Sequence, residues 1–295
     1  MKCSSLVLCL LLMGSVAFGQ APAPGIDGVV NAASSDPSSP IAPGTIVSLY
    51  GTNFAADLLQ PMTGPQSLAS PVIPLETSLG GLSVKFNGVT APLFFVSLGL
   101  VNAQVPWEVA GAADLNVEVM NGDGQSSAPQ QLAFGEASPG IFTLNFGPGP
   151  AVVVNFPLPG SDVIPGSWAQ PESLVIPNVT MQPAAQGGVI IVWANGLGAV
   201  QTAVPSGGIP APGTDVFDLA TVNPVTVYIG GVEAATLFAG IQSSFVGLYQ
   251  INVTVPANAP IGDAVSIELE VAGVRSRNDA TIAVRAAPVA AVQAQ

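Results

Sequence analysis

The side chains best equipped for chemistry are few. Glu108 stands beside Trp107 at the end of an alternating apolar segment, which makes it the best single candidate for acid–base work. Two acids about 5–10 Å apart suffice for glycoside hydrolysis, so a secreted carbohydrate-active hydrolase using paired carboxylates is the enzyme reading this chain keeps open. Ser83 and Lys85 share a strand face and can be drawn as a Ser–Lys dyad; Lys85 serves equally well as a solubilising charge on that face. The chain has no histidine, and its two cysteines, Cys3 and Cys9, both fall within the first 19 residues. Those absences remove the commonest general base, the commonest zinc ligands and every Ser–His or Cys–His pair. They also leave the rest of the chain without disulfides.

Two oxygen-bearing loops, Asn121-Gly122-Asp123-Gly124-Gln125 and Asp215-Val216-Phe217-Asp218, invite a calcium reading. Neither has the alternate acids and terminal Glu of an EF-hand, and the first reads as a hairpin turn. We therefore expect no catalytic residue, no metal and no cofactor. Flat apolar rings can stack on the face of a sugar, and Trp107 and Trp168 lie in or next to loops. Trp107, Glu108 and Trp168 are accordingly the candidate ligand contacts. Trp193 lies within a strand and is expected in the core.

The elements that must position these side chains come from a duplication. Ala42-Pro43-Gly44-Thr45-Ile46-Val47-Ser48-Leu49-Tyr50-Gly51-Thr52-Asn53 aligns with Ala185-Gln186-Gly187-Gly188-Val189-Ile190-Ile191-Val192-Trp193-Ala194-Asn195-Gly196. The same offset carries Val84-Lys85-Phe86-Asn87-Gly88-Val89 onto Val227-Tyr228-Ile229-Gly230-Gly231-Val232, and Asn102-Ala103-Gln104-Val105-Pro106 reappears as Asn252-Val253-Thr254-Val255-Pro256. At the place of Trp107-Glu108 the second copy has Ala257-Asn258, which weakens any shared catalytic role. A repeat this long is a duplicated domain rather than a solenoid unit of about 20–50 residues.

Within each copy the period is two. Leu115, Val117 and Val119 alternate with Asn116 and Glu118, and Tyr249, Ile251, Val253 and Val255 form one apolar face. Asn102 and Asn252 then both point outward. Asn87-Gly88 and Gly230-Gly231 suit two-residue hairpins, and Pro106 and Pro256 end their strands by removing a ladder donor. Many short strands at this spacing predict two β-sandwiches, over 25–137 and 151–286, with a short stiff junction at 138–150 and a frayed tail at 287–295. Ile141 and Phe142 are expected to pack into a domain edge.

Residues 1–19 read as a signal peptide: Lys2, an apolar run from Leu6 to Met13, and small residues Ala17 and Gly19 before a cut at Gln20. That run is too short to span a bilayer, and no later run is longer. All 18 carboxylates lie beyond residue 19, against only Lys85, Arg275, Arg277 and Arg285. Such a surface repels nucleic acid and anionic lipid. An outer-membrane barrel also alternates, but aromatic residues are only 6% of the chain and show no paired girdles.

The stretch Gly44 to Phe54, the Asn87-Gly88-Val89-Thr90-Ala91 turn and Val105-Pro106 resemble the immunoglobulin-like IPT/TIG domain. The whole pair, through Gln104-Val105-Pro106-Trp107-Glu108, Ser138-Pro139-Gly140-Ile141-Phe142, Asn195-Gly196-Leu197-Gly198 and Val246 to Pro256, is similar to an uncharacterised secreted C-terminal module of Solibacter-type acidobacterial proteins. The resemblance implies tandem Ig-like β-sandwiches and no established activity. The expectation is a secreted, extracytoplasmic protein that binds an extracellular protein or polysaccharide, or scaffolds the envelope, through its loops. The likeliest contact loops flank Trp107-Glu108 or span Asn53 to Pro74 and Pro157 to Pro177.

Overall fold

The computed structural model describes residues 22–54 and 67–288. The expected signal peptide, the centre of the Asn53-to-Pro74 excursion and most of the 287–295 tail lie outside the described residues.

Alternating apolar residues become strands throughout. In the first half these are β1 (Gly25–Asn31), β2 (Ile46–Thr52), β3 (Ser67–Ala69), β4 (Ser83–Phe86), β5 (Val89–Thr90), β6 (Leu93–Ser97), β7 (Leu100–Gln104), β8 (Leu115–Met120) and β9 (Gln130–Leu132). They continue as β10 (Gly140–Ile141), β11 (Gly149–Pro150), β12 (Val153–Phe156), β13 (Ala184–Ala185), β14 (Val189–Asn195) and β15 (Val225–Ile229). The last are β16 (Val232–Ala234), β17 (Thr236–Ile241), β18 (Tyr249–Thr254), β19 (Gly262–Val271), β20 (Val274–Arg275) and β21 (Ala280–Arg285). Among the described residues the only helical segments are single 3-10 turns at Trp107–Val109 and Val216–Leu219.

The strands make four open sheets, not a closed barrel. One runs β1-β2-β7-β6-β3 and a second β5-β4-β8-β9. Val47, Leu49, Val84, Phe86, Val101 and Val117 from these two sheets meet in one buried cluster. The other two, β10-β14-β18-β17 and β11-β21-β19-β15-β16, enclose a separate cluster around Val192, Val227, Tyr249, Ile251, Ile267 and Leu269. β8, β15 and β18 bury one face and turn the other toward solvent, as antiparallel sheets covered on one side do.

The pairing register repeats along with the letters. Leu49 pairs with Val101 and Val192 with Ile251; Val84 pairs with Val119 and Val227 with Leu269. Even the irregularity in β6, between Leu93 and Phe95 against β7, recurs in β17 between Thr236 and Phe238 against β18. Both hairpin dipeptides adopt the left-handed backbone a two-residue turn requires, with φ of 48° and 81° at Asn87-Gly88 and 58° and 78° at Gly230-Gly231.

Two features differ from expectation. Gly140 and Ile141, in the segment read as a junction, are a strand: Gly140 pairs with Asn195 and Ile141 with Ala194. These are the counterparts of Gly25 on Thr52 and Ile26 on Gly51 in the first half. The first half passes from Ile26 to Gly28 through a bulge; the second inserts the excursion from Phe142 to Val152 before resuming at Val153. Trp193 is not core. Ile190, Val192 and Ala194 are the buried face of β14, so strand alternation turns Trp193 outward, where it is half-buried.

A buried polar knot joins the halves. Asn195 is fully buried; its Nδ2 donates to Asn31 Oδ1 at 2.9 Å and to the Ile46 carbonyl at 2.7 Å, and its Oδ1 accepts from the Ile46 N–H at 2.9 Å. Asn31 Nδ2 donates in turn to the Ser138 carbonyl at 2.5 Å. Gly196 sits at φ +74°, where an added Cβ would stand 2.1 Å from the Ser138 carbonyl oxygen. On the other side Gly207 N–H donates to Gln104 Oε1 at 2.7 Å, and Leu75 N–H donates to the Gly207 carbonyl at 2.8 Å. With every donor and acceptor of the knot paired inside the protein, the joint resists bending.

Candidate functional site

Three open cavities of about 450–530 Å³ sit where the halves meet. The first, of about 450 Å³, lies beside Trp107 and is lined also by Pro43, Ala112, Phe134, Glu136 and Val222. Pro106 stops β7 and the chain folds into the 3-10 turn that carries Trp107 and Glu108. The indole lies flat over Gly44, where a Cβ would be 2.0 Å from the ring, and packs on the second half's core. Its N–H is buried with no hydrogen-bond partner among the described residues. Ser206, from the second half, accepts from the Trp107 backbone N–H at 2.9 Å and donates to Glu108 Oε2 at 2.6 Å. Trp107 and Glu108 therefore act as a clasp on the Ser206–Gly207 loop.

Trp168 is elsewhere. It is half-buried in an extended segment bridging Val154 and Met181, and does not line this cavity. The structure thus brings Trp107 and Glu108 together and leaves Trp168 apart.

The remaining candidate chemistry is spent on local structure. Asn121 Oδ1 accepts from the Gln125 N–H at 2.9 Å, which closes the hairpin turn. Asp215 Oδ1 caps the Val216–Leu219 turn by accepting from the Phe217 N–H at 2.9 Å. Ser83 is buried with its hydroxyl unpartnered, no hydrogen bond joins it to Lys85, and Lys85 faces Glu118 across the sheet. Among the described residues no three Asp, Glu, His or Cys side chains cluster as metal ligands. The groups with displaced pKa also lie outside these cavities. Arg285, by hydrogen bond and charge, holds Asp162 below the usual carboxylate range, and burial pushes the Tyr249 hydroxyl up.

The second cavity, of about 530 Å³, was not legible as a site. It lies on the outer face of the β1-β2-β7-β6-β3 sheet and gathers Tyr50, Phe94, Phe95, Phe142 and Phe146. Ser48 and Asn102 form its floor, with Ser48 Oγ donating to Asn102 Oδ1 at 3.0 Å. Tyr50 is 45% exposed and Phe146 71%. Phe146 comes from the inserted excursion of the second half. Thr143 holds that turn by donating to the Gly147 carbonyl at 2.6 Å and accepting from its N–H at 3.0 Å, and Ser35 donates to the Phe146 carbonyl. The usable sequence signal was the outward alternation of Ser48, Tyr50 and Asn102; the flanking phenylalanines come from β6 and from the chain after Ile141.

Residues 30–134 match the IPT/TIG domain. The IPT/TIG domain thus carries the floor of the aromatic groove, while Phe142 and Phe146 lie beyond its matched span. No curated protein matches the chain in sequence. Among solved structures it is similar to a gamma-CGTase from alkalophilic Bacillus clarkii, at 11% identity and a TM-score of 0.26. The match covers 90% of this chain and 27% of that one, so this chain spans about a quarter of the enzyme's length. A likeness at that score carries no argument about activity. Among the described residues no helix is long and apolar enough to cross a membrane.

Proposed function

We propose that this is a secreted, non-catalytic binding protein in which two tandem Ig-like sandwiches hold contact surfaces at a fixed angle. The observation that carries the reading is the Glu108–Ser206–Trp107 clasp. The best-placed acid is engaged in holding the halves together, while the open cavities are walled mainly by apolar and aromatic side chains. Pockets of about 300–1,000 Å³ lined this way are typical of ligand sites. The IPT/TIG match and the resemblance to a secreted acidobacterial module support a contact role outside the cytoplasm. We place the unit boundary before Gly140, and take the Trp107 cavity and the aromatic groove, more than Trp168, as the contact surfaces.

The alternative, a hydrolase with paired carboxylates, is separated by one experiment. Mature protein is incubated with polysaccharides and envelope fractions, and retention and released reducing ends are followed in the same tubes. Retention without release is expected. Release that disappears in Glu108→Gln would establish the enzyme instead.

A further inference from the structure

The outer-face groove has three properties that together specify a ligand class. None of its lining side chains is charged, although the chain carries a net charge of −13. Its walls are aromatic, and its polar side chains are hydroxyls and an amide: Tyr50, Ser48, Asn102 and Ser35, the last engaged with the Phe146 carbonyl. Because Asn102 Oδ1 already accepts from Ser48, the Asn102 N–H pair is the donor it offers to a ligand. Past Phe94 the apolar surface continues into the third open cavity, with Val72, Ile73 and Phe245, which are 50%, 51% and 61% exposed. Phe94 thus lines both cavities and joins them into one continuous surface.

Phe146 adds an independent argument. A bulky non-glycine residue at φ +54° is strained, and its side chain is left largely in water, so neither backbone preference nor burial explains its position. Thr143, Gly147 and Ser35 hold the turn so that the ring stands at the groove. A backbone turn held in advance lowers the ordering cost when a ligand stacks on its ring.

We infer that this groove binds a neutral polysaccharide. The C–H faces of its sugar rings stack on Tyr50, Phe94 and Phe146, and its hydroxyls bond to Asn102, Ser48 and the Tyr50 phenol. The acidic chain repels polyanions, and the uncharged lining offers no ion pair to recruit a charged peptide. This inference rests on the binding reading above and gives it a ligand class and a site.

The test is affinity electrophoresis of the mature protein through gels carrying hydroxyethyl cellulose, xyloglucan, glucomannan, soluble starch or, as the polyanion, alginate. Retardation by at least one neutral polymer and none by alginate is expected. The Tyr50→Ala/Phe146→Ala double variant should lose at least tenfold in affinity at an unchanged melting temperature. Phe217→Ala, an exposed ring away from the groove, should bind as the wild type does. The inference is overturned if no neutral polymer retards the protein, or if the double variant binds normally. It is equally overturned if the same substitutions instead abolish self-association, which would make a second copy the occupant. Reducing ends released while the double variant loses retention would sustain the groove and overturn the non-catalytic reading, so the two failures stay distinguishable.

Discussion

The outer faces of β2 and β14 occupy the same place in two equivalent ladders, and they have become different surfaces. Ser48 and Tyr50 on β2 correspond by register to Ile191 and Trp193 on β14; Leu100 and Asn102 on β7 correspond to Gln250 and Asn252 on β18. On the first face Ser48 orients Asn102 and an exposed Tyr50 stands at the wall of an open groove. On the second, Gln250 Nε2 donates to Asn252 Oδ1 at 2.8 Å and Trp193 is half-buried along a strand flanked by the Phe142-to-Val152 excursion. The inward positions, by contrast, stay apolar on both sides. Core packing constrains the inward face and leaves the outward face open to change, so the difference between the two ladders is read on the outer faces.

The same comparison holds for the asparagines. Asn31 and Asn155 are register equivalents, yet Asn31 reaches the other half while Asn155 Nδ2 donates to the Gln182 carbonyl at 2.7 Å and Ser167 Oγ at 3.2 Å within its own. Asn195→Ala tests the joint and should have the largest effect. It leaves the Ile46 N–H unpaired in a buried site and strips one hydrogen bond each from the Ile46 carbonyl and Asn31 Oδ1, which keep the Ala32 and Ala33 N–H donors, costing about 3 kcal/mol in a denaturant titration, against about 2 for Asn155→Ala. Equal costs would mean that the joint is no more demanding than a loop anchor.

Gly196 and Asn53 are a second matched pair, both left-handed, at φ +74° and +58°. Gly196→Ala forces a Cβ against Ser138 and should cost about 2–3 kcal/mol, whereas Asn53→Ala should cost about 1. Comparable melting temperatures for the two variants would show that Ser138 moves aside freely.

The cores also exchange volume between equivalent positions. By register Gly99 and Phe54 in the first half give way to Tyr249 and Leu197 in the second, and all three large side chains are fully buried. Tyr249 donates its hydroxyl to the Gly198 carbonyl. Tyr249→Phe should cost about 1–2 kcal/mol near neutrality by leaving that carbonyl unpaired. Burial raises the Tyr249 pKa above its unfolded value of about 10, so the neutral ring's contribution is complete below that pH. As pH climbs past it the unfolded chain ionises while the fold does not, and stability falls. The Phe variant should therefore lose less stability between neutral pH and pH 11 than the wild type. An identical alkaline decline would place its cause elsewhere.

The smallest effect concerns the outer faces. Trp193→Ala removes a half-buried ring and should cost about 1 kcal/mol, while Tyr50→Ala should stay within about 0.5. A large loss at Tyr50 would show the groove wall to be structural.

Much of this architecture was legible because period-two alternation and turn chemistry are local. The faces of β7, β8 and β18 and both hairpin turns follow directly from the letters. The pairing of Gly140-Ile141 with β14 was hidden because an excursion separates them from Val153-Val154-Asn155, although Pro24-Gly25-Ile26 and Pro139-Gly140-Ile141 carry the clue. Trp193 was assigned by residue type when alternation already placed it outward. The groove was illegible because its walls meet only in the fold: Tyr50, Phe94 and Phe146 belong to three separate segments.

The central claim is that recognition lies on the outer face of the first sheet, completed by a ring from the second half. The most direct measurement is an NMR footprint of the labelled mature protein titrated with a soluble neutral polysaccharide that retards it. The account predicts shifts concentrated at Tyr50, Phe94, Asn102 and Phe146, with Trp193, Gln250 and Asn252 silent. Shifts centred on the Trp193 face or the Trp107 cavity would contradict it.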